Sequence, residues 1–265
     1  MTPSSRIGNE AYTSGVSWAA VTAGAFATAA LSLTLLALGA GFGLSSVSPW
    51  SNAGSSASAV GTGAIVWLIV MEILSASLGG YLAGRLRTKW AGIHTDEVYF
   101  RDTAHGFLAW AVALVITAAF LASAAAAMVG AGRTAPEAGH SEWSADQYLV
   151  DSIFRSDAPR PDAAGAALRG EAGRILANSV RRGQMPAADQ TYLNGLVAAH
   201  TGLTSADADK RVSSVFTDAQ QLADTARRAI AHSLLWTFVA LLTGAFCASV
   251  AATLGGRQRD HVVTI

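Results

Sequence analysis

The chain has 265 residues and a formal net charge of zero, so no excess of basic charge points to nucleic acid as a partner. Charged residues make up 14% of it, against about 25% in ordinary soluble domains, and mean hydropathy is +0.36, a composition that excludes a purely soluble globule. A single cysteine, Cys247, excludes an intramolecular disulfide.

Residues 11–71 contain no Asp, Glu, Lys or Arg, and further long uncharged stretches follow. A helix needs about 20 mostly apolar residues to cross roughly 30 Å of hydrocarbon. The runs that satisfy this predict spans at about 17–45, 62–84, 104–130 and 229–254, with a short N-terminal segment at 1–16 and a tail at 255–265. The first run far exceeds a signal-peptide core of about 7–15 residues and is expected to be retained.

The connection 46–61 is rich in Ser and Gly, holds Pro49 and carries no charge. The next connection carries Arg85, Arg87, Lys89 and Arg101, while Arg6 precedes the first span and Arg257 and Arg259 follow the fourth. Short loops rich in Lys and Arg stay cytoplasmic, and long loops are exempt from that rule. Both termini and the second connection are therefore expected inside, with the long loop outside, which in a bacterium is the periplasm. Trp18, Trp50, Trp67, Trp90, Trp110 and Trp236 fall near span ends, as an aromatic belt at the membrane interface would place them.

The second and fourth spans end alike. Ala76-Ser77-Leu78-Gly79-Gly80-Tyr81-Leu82-Ala83-Gly84-Arg85-Leu86-Arg87 and Ala248-Ser249-Val250-Ala251-Ala252-Thr253-Leu254-Gly255-Gly256-Arg257-Gln258-Arg259 share one pattern of small residues closed by R-x-R. Two hairpins of the same orientation would produce it, and so would convergent use of small residues before a cytoplasmic arginine stop.

The loop 131–228 has ordinary soluble composition, with acids and bases nearly balanced. Leu149, Val150, Ile153 and Phe154 predict a short helix ending before Pro159 and Pro161. Residues 166–182 form a second, with Leu168, Ala172, Ile175 and Leu176 on one face and Gly183 as its stop; residues 187–200 form a third, closed near Gly202. A fourth begins at Thr204 or Ser205, with Asp207 and Asp209 suited to its positive end. Its seam of Val212, Val215, Phe216, Ala219, Leu222, Ala223, Ala226 and Ile230 meets no Gly or Pro up to residue 243, which predicts one helix continuing into the fourth span.

Glu72 lies at the middle of the second span, where a carboxylate costs about 2.5–3.5 kcal/mol. Candidate companions are hydroxyls: Ser75 and Ser77 nearby, and Thr28, Ser32 and Thr34 on the first span. Two readings stand, a titrating proton or cation site and a neutral group that fixes helix register. His94, Asp96, Glu97, Asp102 and His105 crowd the second connection and form a candidate divalent-metal site. The alternative is a polar turn in which Asp102 or Thr103 caps the third span and His105 sits at the interface. Gly39 with Gly43, and Gly80 with Gly84, form Gly-x-x-x-Gly faces for close helix packing, within the chain or between copies. No catalytic constellation and no cofactor motif is visible.

The segments Gly79 to Arg87, His94 to Trp110, Asp189-Gln190-Thr191-Tyr192-Leu193 with Thr201-Gly202-Leu203-Thr204, and Gly255 to Asp260 resemble a group of uncharacterised bacterial four-span inner-membrane proteins with a helical periplasmic loop domain. The resemblance runs from the first span to Asp260 and implies the bacterial inner (cytoplasmic) membrane; it carries no catalytic residue across.

The expectation is therefore an all-α membrane protein: a four-helix transmembrane bundle with a helical extracytoplasmic domain inserted between the third and fourth spans. Its partners are the lipid bilayer, further copies of itself and a periplasmic protein, and its role is non-enzymatic interaction, scaffolding or sensing. The rival expectation is a small proton-coupled or cation-conducting protein that uses Glu72.

Overall fold

A computed structural model describes residues 15–50, 53–88, 94–134, 145–156 and 164–261. Among the described residues there are helices and no strand. The helices are α1 (Trp18–Ser46), α2 (Ala57–Leu86), α3 (Thr95–Thr134), α4 (Ala145–Ile153), α5 (Ala164–Arg182), α6 (Ala187–Thr201) and α7 (Ser205–Asp260). Helices α1, α2, α3 and α7 are each long and apolar enough to cross a membrane. Arg6, Lys89, Trp90 and Trp143, and the expected N-terminal segment up to residue 14, lie outside the described residues.

Two helix starts differ from the sequence reading. Helix α2 begins at Ala57 rather than 62, because Ser56 caps it, its Oγ accepting the Ala59 N–H at 3.2 Å. Helix α3 begins at Thr95 rather than 104, with Asp96 and Glu97 in its first turn, where negative charge suits the helix dipole. The chain from Thr95 to Thr103 is thus helical, and the expectation of a turn capped by Asp102 or Thr103 is overturned: both lie inside α3.

The chain divides into two compact units, one from Met1–Met128 with Ser233–Ile265 and the other from Val129–His232. Helix α7, 56 residues long, contributes to both. The first unit packs the four apolar helices through small residues. Its most buried side chains are mainly alanines, among them Ala25, Ala76, Ala83, Ala109, Ala248 and Ala252, while Phe26, Leu44, Leu234, Leu235, Phe238 and Phe246 face outward. Large apolar groups outside and small ones inside invert the soluble pattern, and a patch of that extent suits lipid rather than water.

The glycines set the helix spacing. A Cβ at Gly80 would collide with the carbonyl of Ala248, and one at Gly84 with that of Ala252. Helices α2 and α7 therefore run in the same direction with their matching small-residue endings in contact. Gly24 meets the Gly79 carbonyl between α1 and α2, and Gly106 meets Ala248 between α3 and α7.

In the second unit a core of Leu149, Val150 and Ile153 from α4, Leu176 from α5, Leu193 and Val197 from α6, and Val212 and Val215 from α7 is closed from water. Helix α5 ends before Gly183 and α6 before Gly202, each with positive φ (76° and 75°), the left-handed backbone that glycine adopts without strain. Thr204 caps α7: its Oγ1 accepts the Asp207 N–H at 3.2 Å and donates to Asp207 Oδ2 at 2.7 Å.

Candidate functional site

Glu72 stands where three helices of the first unit meet. Its Oε1 accepts the indole N–H of Trp110 on α3 at 2.9 Å. It also packs against Gly244 of α7, where a Cβ would collide with the carboxylate. Three of the five expected hydroxyl companions bond elsewhere: Ser75 donates to the Met71 carbonyl, Thr28 to Gly24 and Thr34 to Ala30, each within its own helix. A serine or threonine on a helix has a carbonyl four residues back within reach, and that local bond wins over one across helices. Trp110, expected in an interfacial belt, instead supplies a donor to this half-buried carboxyl. Trp67 likewise turns inward and donates to the Leu35 carbonyl at 2.9 Å.

A second polar cluster lies where the C-terminal ends of α2 and α7 meet the beginning of α3. The Arg87 side chain is fully buried and grips Asp102 with two parallel bonds, Nε to Oδ1 and Nη2 to Oδ2, the latter 2.7 Å. Gly256 lies directly beneath that carboxylate. His105 accepts the Ser17 N–H at Nε2 (2.8 Å), so its Nδ1 carries the proton donated to the Arg101 carbonyl at 2.6 Å. Arg259 donates to the Gly84 carbonyl at 3.0 Å, filling an acceptor that the end of α2 leaves open. Tyr81 donates to Gln258 at 2.6 Å.

The five candidate metal ligands are not assembled. His94, Asp96 and Glu97 are exposed, Glu97 pairs with Arg101 at 2.6 Å, Asp102 is held by Arg87, and His105 bonds backbone through both ring nitrogens. Among the described residues no group of three or more His, Cys, Asp or Glu is placed to hold a metal ion. Of the candidate packing glycines, Gly80 and Gly84 touch α7 and Gly39 lies beneath the Trp67 indole, whereas a Cβ at Gly43 would meet nothing within 4 Å. Gly39 and Gly43 line an apolar cavity of about 540 Å³ between α1 and α2, with Leu36, Val60, Leu68 and Met71.

The second unit holds a larger depression, about 1570 Å³, bordered by α4, α5 and α7. On α5 the bordering residues are spaced three, four and seven apart (Ala166, Arg169, Gly170, Gly173, Arg174, Ala177, Arg181), and on α7 they are Ala219, Leu222, Ala223 and Ala226. Leu222 and Ala223 belong to the apolar seam of α7, and Leu222 is 49% exposed. It lies at the edge of the α7 stripe, where the core has ended and the groove begins. The arginines repeating along α5 opposite that stripe are the signal that could have found it.

The chain matches no family model, no curated protein and no solved structure.

Proposed function

We propose that this protein is a non-enzymatic docking protein of the bacterial inner membrane. Four spans anchor it, and the helical unit between the third and fourth is presented in the periplasm, where it binds a partner. The observation that carries the reading is the long groove on the second unit, an apolar floor edged by arginines. An exposed concave apolar surface of this size is the mark of a binding site. The orientation rests on charge: Arg85, Arg87, Arg101, Arg257 and Arg259 collect where α2 and α7 end and α3 begins, and the connection 46–61 has no charge. That asymmetry favours termini in the cytoplasm.

Glu72 supports a structural role better than a transport role. Its Oε1 accepts from Trp110, and it packs against Gly244. A transport site gathers several polar groups around water, whereas this carboxyl meets one donor and a glycine face.

Crosslinking of the full-length protein in its native membrane, read by mass spectrometry, tests the docking role. Links from α5 or from the first part of α7 to a different protein are expected. Links found solely between copies of this chain, concentrated on α2, would refute it.

A further inference from the structure

We propose that the groove between α5 and α7 receives one helix of a partner protein, apolar on the face it buries and acidic along its edges. The proposal rests on the docking role above and gives the partner its chemistry.

Charge selects the partner's edges. Among the described residues Arg169, Arg174 and Arg181 border the groove, against one acid, Asp151, which lies 3.4 Å from Arg169. Three guanidiniums against one carboxylate leave the groove electropositive, and guanidiniums bind carboxylates with two parallel bonds. From Arg169 to Arg181 the helix rises about 18 Å, so the arginines extend over about three turns of a docked helix.

The floor selects the partner's shape. It combines small residues of both helices with Leu149, Val150, Leu176 and Val180, and Leu222 is its exposed large apolar residue. Gly170 is informative, since a glycine inside a helix costs stability relative to alanine. A Cβ there would meet only Arg174 Nη1, at 3.6 Å, so no contact among the described residues calls for glycine. The floor at that point is therefore open to a close-packed neighbour. Two facing helical stripes leave a furrow into which the ridge of a third helix packs. A flat bilayer surface would reach the arginines and leave that furrow empty.

The test uses the full-length protein in nanodiscs of uncharged lipid and a labelled peptide of about 18 residues, enough for the arginine row with a turn to spare. The peptide carries one Leu/Ala stripe flanked by Glu; a control carries Lys in place of each Glu. Fluorescence anisotropy is expected to show binding of the Glu peptide alone, weakening with salt. Joint Arg169→Glu, Arg174→Glu and Arg181→Glu substitution is expected to weaken it about tenfold or more. Leu222→Asp should weaken it comparably with the arginines intact, and unchanged circular dichroism shows that each variant folds.

Equal binding of the Glu and Lys peptides, or no loss on charge reversal, overturns the proposal. So does capture of anionic vesicles through the three arginines without peptide uptake, which would assign the surface to a membrane. Self-association abolished by the same reversal, again without peptide uptake, would assign it to a second copy and equally overturn it. A native partner crosslinked to the second unit away from the groove overturns this inference alone. Failure to find any partner removes the docking role as well.

Discussion

The pair Arg87–Asp102 permits a quantitative test of how the first unit holds together. Its side chains are 0% and 4% exposed, and they share two bonds in fork geometry. Charge-assisted hydrogen bonds contribute about 1.5–3 kcal/mol each, and removing one partner of a buried pair costs about 3–5 kcal/mol, because the remaining charge has neither water nor a counter-ion. Asp102→Asn should therefore cost about 3 kcal/mol, since the amide oxygen keeps one acceptor, and Arg87→Met about 3–5 kcal/mol. The double variant buries no unpaired charge, so its cost should fall below the sum of the single costs by at least about 2 kcal/mol.

The assay is reversible unfolding of the full-length protein in mixed micelles, with helix content followed as the denaturing detergent fraction rises. Single costs under about 1 kcal/mol, or additivity within about 0.5 kcal/mol, would show that water reaches the pair and would refute the reasoning.

Other outcomes follow from the same contacts. Trp110→Phe strips Glu72 of its donor and should destabilise the protein by about 1–3 kcal/mol, whereas Glu72→Gln keeps the acceptor and should cost less; thermal melts compare them. In reconstituted vesicles Glu72→Gln, wild type and empty vesicles should pass protons and cations equally, and flux abolished by the substitution would restore the transport reading. Gly84→Leu places a side chain where the Ala252 carbonyl stands and should cost about 3 kcal/mol or prevent folding, read as lost monodispersity in detergent. Thr204→Ala removes the α7 cap and should cost about 1 kcal/mol by thermal melting. The Thr204 hydroxyl, and then Lys210, hold the Asp207 carboxyl below its ordinary 3.8. A carboxylate depressed on folding stabilises above its unfolded value, and that stabilisation is lost as pH falls through the folded value. Wild type should thus lose more stability than Thr204→Ala below about pH 4, and parallel pH curves would refute the assignment.

The spans were legible because length and apolarity alone define them, and α7 because nothing from residue 206 to 243 interrupts a helix. The stops at Gly183 and Gly202 were legible for the same local reason. What the sequence hid was pairing across helices. Glu72 and Trp110 are 38 residues apart, and a helical period gives a face, never the neighbour that meets it. The polar stretch His94 to His105 misled because closeness in sequence resembled closeness in space. Once Thr95 onward winds into α3, Asp102 and His105 turn toward Arg87 and Ser17, while His94, Asp96 and Glu97 stay exposed. The glycines Gly24, Gly106, Gly244 and Gly256 escaped because each answers a residue on another helix rather than a motif on its own.

The two units differ in where their arginines stand, and the docking proposal rests on that difference. In the first, Glu72 is met by Trp110, Arg87 by Asp102, His105 by backbone at both nitrogens, and Arg259 by the Gly84 carbonyl and Asp260. Each of these groups is consumed in joining helices, so altering one should change stability before it changes any recognition. In the second, Gln190 and Asn194 of α6 likewise join α7 through Asp209, but the core closes through Leu, Ile, Val and Ala, and among the described residues three arginines on α5 edge an apolar groove with a single acid beside them. Arg87 and Asp102 are buried and answer each other, whereas Arg169, Arg174 and Arg181 stand exposed beside apolar surface, as the proposed docking site requires. The Arg87–Asp102 cycle and the α5 charge reversal should therefore separate cleanly, the former moving the unfolding midpoint and leaving peptide affinity unchanged, the latter doing the reverse.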